Sequence, residues 1–464
     1  MGVILSLFIN LFRPTYTPTL YFPTQPAYLL YRKARHSNEC ITTSLRDVIE
    51  GHCRTLLEEY RPVWWLPGGH IQTGYCVVGD FSTVDKVDYD RKLLRLKDGG
   101  TLGLDFTPPA SERTLSEDTP IIVVMHGLTG GSHEAYVRSI IAPTCTPVEQ
   151  GGLGYRAMVV NFRGCAGTPV TSPQLYTGGH TDDLRQALMY LSQLYPEAPL
   201  IGLGFSLGAN VIARYLGQEG NKSRLLAAAV LGCPWDLVKN SERIEGDLFY
   251  REIYSKALAR NLLKMLRTNA AHLSRLAAPH TPTAQALANT LQLKSPYLKD
   301  FDVAWTSVAG ATYPPFPMDS ADAYYEWAGS AQHVHNIRVP LLCVNASDDP
   351  IVRDLPIEEV RQNGWVCLAV TRHGGHLGWF EKPEKGDREA KGWFGLRRWV
   401  RKPVLEWFRA TAEHLVGEQR EIPELYEQGG WIVERGRESL GFREVEGGGK
   451  VIGVEGEAGL LAGL

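Results

Sequence analysis

Short apolar runs recur along the middle of the chain, and segments with helical spacing lie between them. Six runs of five or six residues are rich in aliphatic and β-branched side chains: 121–125, 156–161, 200–205, 227–231, 341–345 and 366–371. Continuous apolar runs of this length are typical of strands that are buried on both faces of a parallel sheet. Their alternation with helices predicts an α/β fold with a mostly parallel, doubly covered sheet.

The helix-like segments repeat their apolar positions every three or four residues. Residues 182–195 place Leu184, Leu188 and Leu191 on one face, and Thr181 is the expected N-cap. Two further helices are predicted over 209–217 and 393–415.

One connection is much longer than the others. About a hundred residues, 235–339, separate the fourth and fifth predicted strands, and a connection of this length usually carries structure or function of its own. Residues 248–267 have helical spacing with a basic opposite side. The segment is interpreted as a helical cap packed on the domain; the functional alternative is a lid over an acyl pocket that also meets a membrane surface.

The two ends of the chain differ in composition from the middle. Residues 1–60 are predicted to be a lead-in with a peripheral membrane contact, because the apolar run 1–12 is too short to span a bilayer. Gly2 and Ser6 fit the N-myristoylation pattern, which is the alternative for this run. The main domain is expected over 61–415. The Glu- and Gly-rich residues 416–464 are predicted to be a mobile tail.

Charge and cysteine usage exclude several classes of protein. A net charge of −3 gives no electrostatic basis for binding nucleic acid. Eight scattered cysteines show neither CxxC pairs nor zinc-type spacing, so they predict reduced thiols and an intracellular location. The location is expected to be cytoplasmic, or peripheral to a membrane or lipid droplet. No bound metal or cofactor is expected.

The sequence Gly204-Phe205-Ser206-Leu207-Gly208 is a GxSxG motif, which is weak evidence by itself. Here an apolar strand precedes it and a helix-forming run follows it. That is the strand–turn–helix context of a nucleophile elbow, in which a strained turn holds the serine hydroxyl above the sheet. Ser206 is therefore the expected nucleophile of an α/β-hydrolase fold.

A serine nucleophile needs a base, and the base needs an orienting acid. In this fold the order along the chain is serine, acid, histidine. His376 follows the sixth strand and is the expected base, with His373 as its competitor. The acid follows the fifth strand, where Asp349 is favoured over Asp348 because Pro350-Ile351-Val352 comes after it.

Acyl transfer also needs donors for a developing oxyanion. The backbone N–H of Leu207, directly after the nucleophile, is one candidate. The other is the N–H of Leu128, in the loop after the first apolar run. His126 opens that loop and is assigned to holding it, although a second catalytic base is the alternative.

The chain resembles the YheT-like α/β-hydrolase-domain proteins, a group that includes monoacylglycerol lipases and fungal medium-chain fatty-acid ethyl ester synthase/esterases. The resemblance lies in ordered segments between about residues 60 and 385: PGGHIQT from Pro67, HGLTGGSHEAYVRS from His126, NFRGCAG from Asn161, YTGGHTDDL from Tyr176, GFSLGANVIARYLG from Gly204, NASDDPIV from Asn345 and HGGHLGWFE from His373. The family's triad falls on Ser206, Asp349 and His376, where the residue patterns also point.

The resemblance implies hydrolysis of medium-chain esters or acylglycerols through an acyl-serine, that is, a carboxylic ester hydrolase. The alternative is an alcohol O-acyltransferase that uses acyl-CoA, an alcohol and the same serine. The HxxxxD motif of some relatives is absent, since Gly131 and Arg185 stand five residues after His126 and His180. A non-catalytic scaffold on the same fold is the third hypothesis.

Overall fold

A computed structural model describes residues 16–35, 37–382, 396–417 and 420–452. In chain order its strands are β1 (Thr19–Tyr21), β2 (Tyr28–Arg32), β3 (Cys40–Ser44), β4 (Asp88–Leu96), β5 (Thr101–Thr107), β6 (Ile121–Met125), β7 (Arg156–Asn161), β8 (Leu200–Phe205), β9 (Ala227–Leu231), β10 (Leu341–Ala346), β11 (Val366–Thr371), β12 (Phe380–Glu381), β13 (Arg397–Arg398), β14 (Leu425–Gln428), β15 (Trp431–Glu434) and β16 (Gly441–Ile452).

The longer helices alternate with the strands or precede and follow them. They are α1 (Leu45–His52), α2 (Gly69–Val78), α3 (Ala135–Cys145), α4 (Asp182–Leu194), α5 (Leu207–Glu219), α6 (Leu237–Gly246), α7 (Lys256–Leu276), α8 (Pro282–Leu291), α9 (Ala321–Ala328), α10 (Ile357–Gln362) and α11 (Arg401–His414). Among the described residues, none of the helices is both long and apolar enough to cross a bilayer.

Twelve strands form one central sheet in the order β1-β11-β10-β9-β8-β6-β7-β5-β4-β16-β15-β14. The six middle strands, from β11 to β7, are parallel, and the outer strands are antiparallel. All six apolar runs predicted from the sequence are these parallel strands. The predicted α/β class with a doubly covered sheet is therefore confirmed.

Both faces of the parallel strands are buried, which explains why the runs show no polar alternation. Along β6, Ile121, Val123 and Met125 belong to one core cluster, whereas Ile122 and Val124 belong to the other. Helix α5 packs in the first cluster and helices α3 and α11 pack in the second. Successive side chains of a strand point to opposite faces, so each run fills two cores at once.

Helix α4 begins where the sequence indicates, but the expected cap is different. The Thr181 side chain makes no capping hydrogen bond. Its hydroxyl instead donates to the side-chain oxygen of Gln218 at 2.5 Å. The tertiary partner on α5 has therefore replaced the local one.

The long connection between β9 and β10 is helical over much of its length. It contains α6 to α9 and shorter turns. The predicted helix over 248–267 starts with an α turn at Leu248–Tyr250, passes through a π turn at Arg251–Ser255 and continues as α7 to Leu276.

The prediction of a mobile tail over 416–464 is wrong for residues 425–452. Strand β16 pairs antiparallel with β4, and β15 and β14 extend the sheet beyond it. Gly429 and Gly430 have the positive φ angles that a tight hairpin requires, and the aromatic ring of Phe442 is buried in the core. The Glu-rich composition reflects the exposed face of these strands, not a lack of structure. Residues 418–419 and 453–464 lie outside the described part.

The lead-in boundary at residue 60 is also wrong as a structural division. Strand β1 pairs with β11 at one edge of the central sheet, and β2 and β3 form a separate hairpin. Helix α1, which follows, has a capping box between Ser44 and Asp47 and buries Leu45, Val48 and Ile49 in the second core. The apolar run 1–12 and the myristoylation pattern lie outside the described residues.

A buried ion pair joins the C-terminal hairpin to the sheet. The guanidinium of Arg224, just before β9, donates to the Glu434 carboxylate at 2.8 Å, and both side chains are almost fully buried. Removing one charge from a buried pair leaves the other without compensation.

We therefore expect Glu434→Gln to lower the free energy of unfolding by about 3 kcal/mol, measured by chemical denaturation and by the thermal midpoint. The matched control is Glu424→Gln in the same hairpin, whose 2.7 Å pair with Arg435 is exposed and should contribute less than about 1 kcal/mol. Equal effects of the two substitutions would show that the buried pair stabilises the fold no more than the exposed one.

Candidate active site

Ser206 stands at the sharp turn between β8 and α5. Its φ of +49° and ψ of −118° are strained for a residue with a side chain. The flanking glycines permit this turn: a β-carbon at Gly208 would lie 2.3 Å from the carbonyl oxygen of Met125, and one at Gly204 would lie 2.5 Å from the Cα of Ala209. The nucleophile-elbow geometry predicted from the GxSxG motif is thus present.

His376 links the serine to an aspartate. Its Nε2 accepts a hydrogen bond from the Ser206 hydroxyl at 2.8 Å, and its Nδ1–H donates to Oδ2 of Asp349 at 2.8 Å. All three residues are buried. The other oxygen of Asp349 accepts the N–H groups of Ile351 and Val352 at 2.7 and 3.0 Å, so the carboxylate is fixed on both sides. The structure brings together the three side chains that the sequence places far apart.

The two competitors, Asp348 and His373, pair with each other. Nδ1 of His373 lies 3.1 Å from Oδ2 of Asp348, whose Oδ1 accepts the N–H of Gly375 at 2.9 Å. Asp348 therefore ties the acid loop to the histidine loop. This arrangement agrees with the preference for Asp349 and His376 in the sequence.

Helix α2 supports the histidine loop from a site that sequence reasoning did not single out. The hydroxyl of Thr73 accepts the backbone N–H of His376 at 2.8 Å and donates to the carbonyl of Gly69 at 2.7 Å. Gly69 is needed for close approach, because a β-carbon there would lie 1.9 Å from the carbonyl oxygen of Asp348. The sequence signal was the Gly-Gly pair of the PGGHIQT segment, which lies three hundred residues before the loop that it contacts.

The two proposed oxyanion donors lie in the expected segments. Leu207 is the first residue of α5, and neither its N–H nor that of Leu128 has a hydrogen-bond acceptor in the part of the chain that the structure describes. The loop that holds Leu128 is fixed on both sides: Gly127 N–H donates to the Tyr136 hydroxyl at 2.9 Å, and Thr129 N–H donates to the Tyr176 hydroxyl at 2.8 Å.

The same loop approaches the serine closely. A β-carbon at Gly127 would lie 3.6 Å from the Cβ of Ser206. The peptide between Gly127 and Leu128 is therefore adjacent to the nucleophile, and the free N–H of Leu128 belongs to that peptide.

His126 holds this loop and is not free to act as a base. Its Nδ1–H donates to the carbonyl of Gly127 at 2.7 Å, and its Nε2 accepts the N–H of Phe162 at 3.1 Å. Complete burial lowers the pKa of His126 to about 4, so the ring stays neutral at physiological pH. Both ring nitrogens are occupied by backbone groups, which fits the structural role expected from the sequence.

The cap covers the site with apolar side chains. Ile244 of α6 and Tyr254 and Leu258 of the long cap helix are buried in one cluster with Ile351 and Val352, and Leu128 packs against that cluster. Ile351 and Val352 lie two and three residues after Asp349. The cap therefore closes over the acid loop and over one of the proposed oxyanion donors.

A polar contact also fastens the cap to helix α2. The Tyr254 hydroxyl lies 2.6 Å from Nδ1 of His70, the residue after Gly69. Burial raises the pKa of Tyr254, so the phenol stays protonated and the hydrogen bond persists across the physiological range.

This geometry coincides with a family match. A sequence profile described as the alpha/beta hydrolase fold matches residues 120–383, more than half of the chain. The chain belongs to the α/β-hydrolase fold family. The family resemblance expected from the sequence motifs is confirmed.

Curated relatives of this hydrolase match over most of their length. The monoacylglycerol lipase of Saccharomyces cerevisiae is 31% identical over 77% of this chain and 81% of its own. Medium-chain fatty acid ethyl ester synthase/esterase 2 of the same yeast is 30% identical over 76% of this chain and 86% of its own. The human phospholipase ABHD3 is 31% identical over 73% of this chain and 78% of its own. All three names carry a lipase or esterase designation.

Proposed function

We propose that this hydrolase cleaves carboxylic esters through an acyl intermediate on Ser206. The observation that carries the proposal is the hydrogen-bonded series from the Ser206 hydroxyl through both nitrogens of His376 to Asp349. A neutral serine hydroxyl is a poor nucleophile, and a base within hydrogen-bond reach is the feature that activates it.

In the first half-reaction the Ser206 oxygen attacks the ester carbonyl while its proton passes to Nε2 of His376. The carbonyl oxygen becomes an oxyanion, for which the N–H groups of Leu128 and Leu207 are the donors, each stabilising the transition state by about 2–4 kcal/mol. The bond to the alcohol oxygen then breaks, and the imidazolium of His376 protonates the departing alcohol.

In the second half-reaction water attacks the acyl-serine while His376 takes a proton from it. The imidazolium then returns the proton to the Ser206 oxygen as the bond between that oxygen and the acyl carbon breaks, which releases the acid. Asp349 stabilises the imidazolium in both steps and keeps the Nδ1–H tautomer. Transfer of an acyl group from acyl-CoA to an alcohol, which uses the same serine, stays a prediction from sequence.

A medium-chain ester or an acylglycerol is the proposed substrate class. The cluster of Ile244, Tyr254, Leu258, Ile351 and Val352 beside Leu128 gives an acyl chain apolar surroundings near the reacting atoms. The lipase and esterase names of the relatives point in the same direction.

A lipid surface is the proposed source of this substrate. At the start of the cap helix, Leu248 and Phe249 are 75% and 52% exposed, and the Phe249 ring lies 5.4 Å from that of His70, which binds Tyr254 beside the site. Further along the same helix, Arg260 and Lys264 have no ion-pair partner among the described residues. Exposed apolar side chains and unpaired cations on one helix are typical of helices that lie at the surface of an anionic membrane.

Ser206→Ala should abolish labelling by a fluorophosphonate probe, because the probe reacts only with an activated serine hydroxyl. In-gel fluorescence of the purified full chain measures the labelling. Ser347→Ala is the matched control, since Ser347 is an exposed serine near the same edge of the sheet and should leave labelling unchanged. Persistent labelling of the Ser206 variant would rule out the proposed nucleophile.

The two adjacent aspartates should differ in their effect on kcat. Asp349→Asn should reduce kcat on the order of 10³- to 10⁴-fold, because an amide no longer selects the Nδ1–H tautomer of His376. Asp348→Asn keeps an acceptor for Gly375 and should cost less than about tenfold, or about 1.4 kcal/mol. The measurement is steady-state hydrolysis of p-nitrophenyl octanoate. A larger loss with Asp348→Asn would reverse the assignment of the acid.

Replacing both apolar residues at the tip of the cap helix, as Leu248→Ser/Phe249→Ser, should weaken binding to phosphatidylcholine/phosphatidylserine vesicles by about tenfold or more, because each side chain loses burial in the acyl layer. Co-sedimentation of the full chain measures the bound fraction. Val148→Ser is the control, since Val148 is 65% exposed but lies near the amino end of β7. Unchanged binding of the double variant contradicts the proposed surface.

A further inference from the structure

Helix α6 carries a buried amide without a partner. Asn240 is only 5% exposed, and neither its Oδ1 nor its Nδ2 makes a hydrogen bond within the described part of the chain. An asparagine side chain offers two donor hydrogens and two acceptor positions. Buried polar groups are nearly always hydrogen-bonded, so an amide with every position open is available to bind a ligand.

The position of α6 places this amide at the active site. The helix follows β9, the strand whose last residue, Leu231, accepts the N–H of Ser206 at 2.9 Å. Between them, Gly232 is adjacent to the catalytic histidine: a β-carbon at this glycine would lie 3.4 Å from Cε1 of His376. Helix α6 therefore starts beside the reacting groups.

The inward face of α6 is defined by its two ends. Leu237, Asn240 and Ile244 follow the i, i+3, i+7 spacing of one helix face. At the first end, Leu237 and Leu207 meet around Gly178, where a β-carbon would lie 3.6 and 2.8 Å from their Cδ1 atoms. At the other end, Ile244 is buried with Ile351 and Val352, which lie two and three residues after Asp349.

The hydrogen-bonded series from Ser206 to Asp349 lies between these two ends. Leu207 follows the nucleophile and Ile351 lies two residues after the acid, so α6 extends from the neighbourhood of one to the neighbourhood of the other. The segment from Leu237 to Ile244 is about 10 Å long. Asn240 lies in the middle of this face, between the two ends.

We infer that Asn240 binds a free hydroxyl on the alcohol part of the ester, which makes this hydrolase selective for esters of polyols such as glycerol over esters of simple alcohols. The inference rests on the proposed function. The neighbouring side chains of the inward face, Leu237 and Ile244, are apolar and suit an acyl chain, which has no hydrogen-bonding groups. A hydroxyl donates one hydrogen bond and accepts others, so it complements both atoms of the amide.

The test compares two esters with the same acyl chain, 1-octanoylglycerol and ethyl octanoate. The ratio of their kcat/KM values is measured for the full chain and for Asn240→Leu, which removes both polar atoms and keeps the volume. The ratio should fall by about 10- to 100-fold, because a site built around a hydroxyl discriminates strongly only while its polar groups are present. Asn240→Ala provides a second variant with the same expected direction.

Asn269→Leu is the matched control. Asn269 lies on the neighbouring cap helix α7, and its amide already donates to the carbonyls of Gly164 and Met265, so the ratio should stay within about twofold of the wild type. An unchanged ratio in both Asn240 variants, with Ser206-dependent hydrolysis intact, overturns the role of Asn240 and leaves the proposed function standing. Absence of Ser206-dependent hydrolysis of either ester overturns both.

Discussion

The imidazole of His376 is held by contacts from four separate parts of the chain, and the candidate chemistry depends on that convergence. Its two nitrogens bind Ser206 and Asp349, its backbone N–H binds Thr73, and Gly232 approaches its ring edge. A histidine can move a proton only if its tautomer and orientation are fixed before the substrate arrives. The carboxyl ends of parallel strands β8, β9, β10 and β11 hold the contacting residues in place, because these ends meet at one edge of the sheet.

Much of the parallel sheet and its site could be predicted because each relevant segment reveals its environment locally. A strand such as β6 is buried on both faces, so its five residues are uniformly apolar. Ser206 lies between two glycines after such a strand, and Asp349 and His376 follow the next strands in the order that the fold imposes. These are short-range patterns in the sequence, so they can be recognised without knowing which strands pair with each other.

The outer strands and the supporting residues could not be found in this way. Strand β16 has only Gly441 and Phe442 buried at its start and exposed residues over most of its length, so its pairing with β4 leaves almost no apolar periodicity. Thr73 supports His376 from three hundred residues away, and a single threonine in a helix has no pattern of its own. Both features are defined by partners that are remote in sequence, which is information that a local pattern lacks.

Connectivity also couples the nucleophile to the cover of the site. Because α6 follows the end of β9, whose Leu231 accepts the N–H of Ser206, the cap starts within a few residues of the reacting groups. Its position is fixed further by the contact of Tyr254 with His70 on α2, the same helix that supports the His376 loop. These contacts set the position of the helix that carries Asn240, and the proposed role of that amide depends on them. Substrate selection by a hydrogen bond requires a well-positioned partner, because a donor displaced by an ångström loses most of its discrimination.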